Sequence, residues 1–433
     1  FENKLGEMIR TLGVTFWDGS KITDIHLNDH GNDHGQHTVT VDHDGSAHTI
    51  AARWVIDASG RAALLRRQLG LSEEVSHHIN AAWLRVNQRF NTNLWSRKLA
   101  WRRRVDSSVV RIFATSHLCG PGYWVWIIPL APETTSIGIV ADERLHPSGT
   151  FNKLDRALEW LRSHEPQCAQ MLDQTQIQDF KVLRNYTNSC RQVYSTDQWC
   201  ITGVAGAFTD PLYSPGSEFI AMSNTFVTDI ITRSLDGEAV EERISFYDRF
   251  VLDFMFSTSM QEYLGQYPNL NDPLFITLKE VWHAAWYWGI WGVLIHHPKQ
   301  LRNLALMSEI EPDLERFSAL HLRMQEMFRN WPVHGRTYSN LFVDYLAVDS
   351  VFHLHTAMID PLTDGELREQ IARNVTFLEM VAHAILAYVQ PESLLDAPLT
   401  PATPELAAEF KTALWDVFEA SRQKVPPDTP VFA

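Results

Sequence analysis

The nine residues Gly122-Tyr123-Trp124-Val125-Trp126-Ile127-Ile128-Pro129-Leu130 leave the chain few conformations. β-Branched and aromatic side chains crowd the run, which favours a strand. The run closes on Pro129, which has no N–H to donate, and reads as a strand over Tyr123–Leu130. Side chains of a strand alternate between faces, so Trp124 and Trp126 point the same way and are expected to build a flat indole wall. The plainer alternative is a core strand with two buried indoles.

Composition sets the outer bounds. The chain has 433 residues, 45% apolar and 21% charged, enough for two or three domains around a large core. A net charge of −15 repels phosphate backbones and excludes a nucleic-acid partner as the main reading. The basic runs Arg97-Lys98 and Arg102-Arg103-Arg104 read as a solvated edge or hairpin. Cys119, Cys168, Cys190 and Cys200 show no C-x-x-C spacing and read as reduced thiols. The most apolar window, Val281 to Ile295, is shorter than the ~20 residues of a membrane span and contains His283. These features indicate a cytoplasmic protein with no membrane partner.

Read in order, the chain opens in a helical pattern (Phe1, Leu5, Met8, Ile9, Leu12) with no N-cap, which suggests that an upstream part is missing. Val14–Trp17, Ile22–Leu27, His37–Asp42 and His48–Ile50 read as strands around turns at Asp18-Gly19 and Asp44-Gly45. His30, His34 and His37, in and after the tandem 28–35 repeat, have the residue type for a metal, but a solvated loop rich in turn formers accounts for them better. No metal site is expected. Arg53–Asp57 is a buried strand running through Ala58-Ser59-Gly60 into a helix over 62–69. Asn80–Phe90, Val109–Ser116, Tyr123–Leu130 and 135–140 read as further strands, Leu154–Ser163 as an amphipathic helix, and Trp199–Gly203 as another buried strand. Beyond about residue 218 the pattern is helical, with a capping box at Thr363–Glu366 and Thr403 as N-cap before Pro404.

The second constellation is Asp210-Pro211-Leu212-Tyr213-Ser214-Pro215-Gly216-Ser217. Pro215 and Gly216 set a turn into a helix whose free N-terminal amides suit the electron-rich edge of a ring or a halide.

Trp124, Trp126, Ile128 and Pro129 resemble the W-x-W-x-I-P signature of the flavin-dependent halogenases. The Gly203–Gly216 segment resembles the G-D-A-x-x-x-x-D-P-x-x-S-x-G region of the wider superfamily of FAD-dependent aromatic monooxygenases, and Asp57-Ala58-Ser59-Gly60 its strand-ending D-A-[ST]-G. The three motifs fall in family order. The resemblance implies an α/β (α+β) fold. Its FAD-binding Rossmann-like three-layer domain is incomplete at the N-terminus and occupies 1–76 and 191–236, a β-rich substrate domain 77–190, and a helical region covering the substrate 237–433. It implies FAD, reduced by a separate flavin reductase, with halide as co-substrate and a small aromatic substrate, free or carrier-bound. By carry-over, Trp124, Trp126 and Ser214 lie at the catalytic site. Asp57, Ala58, Ser59, Gly60, Gly203, Asp210, Pro211, Pro215, Gly216 and Ser217 contact the cofactor. The wall would keep the substrate from the oxygenated flavin, and Tyr247, Phe254, Trp282, Trp286 and Tyr287 would roof its pocket.

The departures are specific. No G-x-G-x-x-G occurs, and the family's catalytic lysine falls in the part before Phe1, so no lysine here inherits that role. Val204 replaces the acidic residue of the G-D pair. Tyr213 stands where tryptophan halogenases carry a glutamate, and Pro215 lacks the N–H that relatives offer to chloride. Two other readings follow. One is direct hydroxylation of an aromatic by the same cofactor. The other is an inert family fragment serving as a binding scaffold, which would be colourless on purification.

Overall fold

The computed structural model describes residues 2–28, 36–103, 108–333, 336–338, 341–395 and 399–422. The fold is mixed α/β and divides into two compact units. The first is Phe1–Ser72, Cys190–Ala207 and Ser223–Phe250; the second is Glu73–Ser189, Phe208–Met222 and Val251–Ala433.

In the first unit, Lys21–His26, His37–His43 and Ser46–Ala52 form an antiparallel sheet in that order. Its second hairpin turns at Asp44-Gly45, both with positive φ (51° and 75°), the geometry that Asp-Gly favours between twisted strands. Val14–Trp17, expected as a strand, is irregular. Trp17 instead stacks on His43 at 5.0 Å, so the aromatic is used for packing at the sheet rather than for a ladder. His30 and His34 lie outside the described residues. His37 is buried and accepts the Asn28 N–H on Nδ1, a structural role.

Val55–Asp57 pairs in parallel with Trp199–Ile201; the latter is buried as expected, but the strand expected to be buried over Arg53–Asp57 is shorter and only partly covered, with Ile56 exposed. Beyond it Gly60–Ala62 makes a 3-10 turn and the helix is confined to Leu64–Gln68, shorter than the expected 62–69. The break comes at Ala63, whose φ is +46°. Tyr247, expected over a substrate pocket, is instead fully buried: its ring stacks on Phe226 at 4.2 Å and its hydroxyl donates to Asp229.

The second unit holds a five-stranded antiparallel sheet in the order Ile177–Leu183, Ile79–Val86, Thr134–Asp142, Tyr123–Leu130, Ser116–Gly120. Tyr123–Leu130 has the bounds expected of it. Alternation sends Tyr123, Val125 and Ile127 into a core with Leu84, Ile137 and Ile139, completed by Trp160 and Leu161 of the Leu154–His164 helix and Leu172 of Pro166–Leu172. The indoles take the opposite face.

One strand expectation fails here. Ser108–Phe113 is a helix, and the strand begins only at Ser116. Arg111 lies over the Trp101 ring at 4.4 Å, a contact to the preceding Leu99–Arg102 helix that β-branched composition does not reveal. The Leu99–Arg102 helix stands where the basic runs were read as a solvated edge or hairpin; there is no hairpin over 97–103, but Arg97 and Lys98 are exposed; Arg104 lies outside the described residues.

The described residues of this unit beyond 250 are mostly helical. Thr363 caps Asp364–Val389 with the expected box, and Thr403 accepts the Leu406 N–H ahead of Pro404–Phe410. Trp282 and Trp286 are buried in this helical core. Among the described residues no helix is long and apolar enough to cross a membrane.

Candidate functional site

The wall comes first. Trp124 and Trp126 share a face, as alternation requires, but they are not coplanar: their centroids lie 5.8 Å apart and their planes meet at 48°. The reason is that the two indole N–H groups are drawn in different directions. Trp126 Nε1 donates to Ser136 Oγ on the adjacent strand at 3.0 Å. Trp124 Nε1 donates to the Tyr267 hydroxyl at 2.9 Å. Trp83 adds a third indole 6.4 Å from Trp126, and His117 packs 4.9 Å from Trp124. Gly138 faces both Trp83 and Trp126 across the ladder. A Cβ there would fall 2.1 Å from the Trp126 ring, so the glycine is the floor on which that indole lies.

The bend comes next. Asp210 is fully buried, and its carboxylate serves protein donors alone. Leu212 N–H donates to Oδ1 at 3.0 Å, His77 Nε2 bonds to Oδ2 at 2.8 Å, and the Tyr267 hydroxyl donates to the same oxygen. Tyr267 therefore receives the Trp124 indole on one side and holds Asp210 on the other. Its carbonyl also accepts the Gly122 N–H at 2.9 Å. The wall and the bend are fastened together by one tyrosine. Sequence reading missed Tyr267 and His77, because nothing local marks a residue that acts 57 or 133 positions away.

After Pro211 the backbone turns sharply. Ser214 N–H donates to Pro211 O, and Ser214 itself is exposed with φ +58°, an uncommon conformation for a side chain other than glycine. Pro215 is buried. Phe219 N–H is the amide that bonds back to Pro215 O, so the first turn of the Gly216–Leu235 helix, with Gly216 and Ser217, has the open amides of a helix start.

In the first unit the Asp57–Gly60 turn has a similar economy. Asp57 accepts the Ser59 and Leu65 N–H groups, both at 2.8 Å, so its carboxylate shapes the turn and is not offered outward. Ala58 is exposed, and a Cβ built on Gly60 (φ +60°) meets nothing within 4 Å. Gly203 also has positive φ (+59°) and begins a 3-10 turn that contains Val204. Arg66, another residue sequence reading missed, donates to Gly206 O at 2.9 Å and so ties the two turns. Open backbone at small residues fits the close approach of a flat cofactor; the buried carboxylates of Asp57 and Asp210 fit a supporting role.

A buried polar cluster adjoins the bend. Tyr213 stacks on His283 at 3.8 Å. His283 Nδ1 bonds to Glu262 at 2.9 Å, and Trp286 Nε1 donates to the other Glu262 oxygen at 3.0 Å. Lys279 donates to the Glu262 carbonyl and to Gln266 Oε1. Burial opposes the charge on Glu262, but the bonded His283 and then Lys279 outweigh it and hold the carboxyl down to about 2. Burial lowers the Lys279 ammonium against the pull of Glu262 and Glu280, and brings His321 down to about 4. Burial and then Glu280 push the Tyr213 phenol well up. Among the described residues no group of three or more His, Cys, Asp or Glu has the arrangement of a metal site.

No family model matches the chain. Individual proteins do. It is 27% identical over 213 residues to the flavin-dependent halogenase chlA of Dictyostelium discoideum, covering 47% of this chain and 34% of that one. It is 30% identical over 203 residues to the tetracycline 7-halogenase of Kitasatospora aureofaciens (42% and 33%). It is 24% identical over 279 residues to a 1H-pyrrole-2-carbonyl-(peptidyl-carrier protein) chlorinase of Pseudomonas fluorescens (63% and 57%). The chain thus spans between a third and somewhat over half of these curated relatives. Among solved structures, the halogenase PltM in complex with phloroglucinol and FAD superposes with a TM-score of 0.60 at 16% identity, over 85% of this chain and 75% of that one, a likeness of fold. The curated proteins it resembles over these partial spans are flavin-dependent halogenases.

Proposed function

We propose that the protein halogenates an electron-rich aromatic substrate, using reduced FAD, dioxygen and halide. The observation that carries this is the Tyr267 link, which makes the indole wall and the Asp210–Ser217 bend one built object. The homology to halogenases supports it. When bound, the reduced flavin would activate dioxygen, and dioxygen would supply the oxidising equivalents for the halide. The chain's own residues do the placing. Ala58, Ser59, Gly60 and Gly203 give the cofactor bare backbone, while Asp57 holds that turn from beneath. Pro211, Ser214, Pro215, Gly216 and Ser217 form the bend, with the Gly216 and Ser217 amides available to an anion and Asp210 as the positioning residue. Trp124 and Trp126 exclude water and separate the substrate from the cofactor. Segments 1–76 and 191–236 are assigned to cofactor binding, 77–190 to the wall domain and 237–433 to the substrate cover.

The substrate is a small aromatic, free or carrier-bound; one relative is named for a carrier-bound pyrrole. A flavin reductase is the transient partner, and the setting is cytoplasmic. Direct hydroxylation is favoured by two features, the missing N–H at Pro215 and Val204 in place of an acidic residue, and opposed by the indole wall. Product mass decides. With reduced FAD, oxygen and saturating bromide, the expected product carries bromine. A product that gains oxygen and no bromine assigns hydroxylation instead.

A further inference from the structure

His283 has the construction of a base. Glu262 is 1% exposed at its side chain and accepts from both His283 Nδ1 and Trp286 Nε1. An ionised carboxylate only accepts, so Nδ1 carries a hydrogen, and in the neutral form of the ring Nε2 is the nitrogen left free to take a proton. The two faces of the imidazole are closed, by Tyr213 at 3.8 Å and 14° and by Tyr287 at 5.6 Å and 18°. Trp286 meets it edge-on at 5.4 Å. The side chain is nevertheless 16% exposed, and Nε2 has no hydrogen-bond partner among the described residues. What this ring offers is its edge.

Its location is equally specific. Tyr213 immediately precedes Ser214. The Tyr287 hydroxyl donates to Glu218 Oε1 at 3.1 Å, in the first turn of the Gly216–Leu235 helix. The two rings that clamp His283 are thus attached to the two ends of the Ser214–Ser217 bend. The other Glu218 oxygen is buried without a partner, so the same corner has a second unmet acceptor.

We propose that His283 is the general base that deprotonates the substrate, and that the substrate is therefore a phenol, a ring carrying an ionisable O–H. The O–H bond breaks, its proton passes to Nε2, and the electron pair stays on the ring oxygen. The resulting imidazolium is held by Glu262. The phenolate pair raises electron density at the ortho and para carbons, where an electrophilic halogen forms the carbon–halogen bond and the ring hydrogen leaves as a proton. Only that last step rests on the halogenase reading; the proton transfer does not. The charged and titratable groups facing His283 are Glu262, Tyr213 on the bend, Glu280, Lys279 and Tyr287 on its own helical stretch, and His321 on the Leu304–Arg329 helix.

The test uses para-nitrophenol, whose ionisation is visible as colour and needs no flavin, oxygen or halide. At a pH where the free phenol is half ionised, the wild-type chain is expected to bind it as the yellow phenolate, and His283→Gln to bind it colourless. In turnover, His283→Gln is expected to lower kcat for an ordinary phenol by about 10²–10⁴-fold. The loss on para-nitrophenol at a pH where it is already ionised should be less than about tenfold. Equal bound colour in both proteins, or equal losses on both phenols, overturns the proposal. If His283→Gln does not fold, the wild-type complex decides alone, since colourless bound nitrophenol overturns it. A coloured complex from a protein that incorporates no bromine would sink the halogenase reading and leave the base in place.

Discussion

Asp210→Ala is expected to cost about 3–5 kcal/mol of folding stability, since it leaves several buried hydrogen-bonding groups unsatisfied at about 1–3 kcal/mol each. The carboxylate is wholly inside the second unit and takes hydrogen bonds from Leu212 N–H, His77 and Tyr267. Alanine leaves all three partners without their shared acceptor, and unsatisfied buried donors are what make such a change expensive. Tyr267 then also loses the anchor that orients it toward the Trp124 indole. Asp210→Asn keeps the shape and an acceptor oxygen, and should lose only about 1–3 kcal/mol. Urea unfolding midpoints, compared at constant slope, report the difference. A loss under about 1 kcal/mol for the alanine variant would mean that the cluster is looser than its geometry.

Gly138→Ala is the second large effect, and its sign is the informative part. Within a strand, alanine ordinarily beats glycine by roughly 0.5–1 kcal/mol, because the unfolded glycine chain has more freedom to lose. Here the added methyl would stand 2.1 Å from Trp126 Cζ2 and 2.4 Å from Cε2, distances at which something must move. Trp126 is tethered through Nε1 to Ser136 and flanked by Trp83, so its ring has no free direction along the sheet. Overpacking of this kind costs about 1–3 kcal/mol. The expected result is destabilisation with the Trp126 indole pushed outward, seen as a red shift in tryptophan emission and a drop in turnover. A neutral or stabilised Gly138→Ala protein would show that the indole does not lie across that strand.

The parts of the fold legible beforehand were those written in neighbouring residues. The Tyr123–Leu130 strand follows from a β-branched aromatic run, the Asp44-Gly45 hairpin from a turn pair, and the Thr363 and Thr403 caps from spacings of one to three positions. The 108–113 segment went the other way, since its valines favour a strand while the Arg111–Trp101 contact belongs to a pair of short helices. Same-face placement of Trp124 and Trp126 was legible from strand period, but the 48° tilt was not, because it depends on which distant acceptor each indole N–H finds. Likewise Asp57 and Asp210 were picked out as site residues, while their partners Leu65, His77 and Tyr267 depend on tertiary folding. Glu262, in the turn after the Ser257–Gln261 helix, and His283, in the Pro273–Trp286 helix, lie 21 positions apart and left no local mark at all.

Tyr267→Phe removes one hydroxyl and so cuts the two hydrogen bonds that join the wall to the bend. Amide hydrogen exchange on this variant is the direct measurement. Segments 122–130 and 208–217 are both expected to exchange about tenfold faster than in the wild type, as a local loss of about 1.4 kcal/mol requires. Faster exchange confined to the neighbourhood of residue 267, with both distant segments unchanged, would contradict the claim that wall and bend form one site.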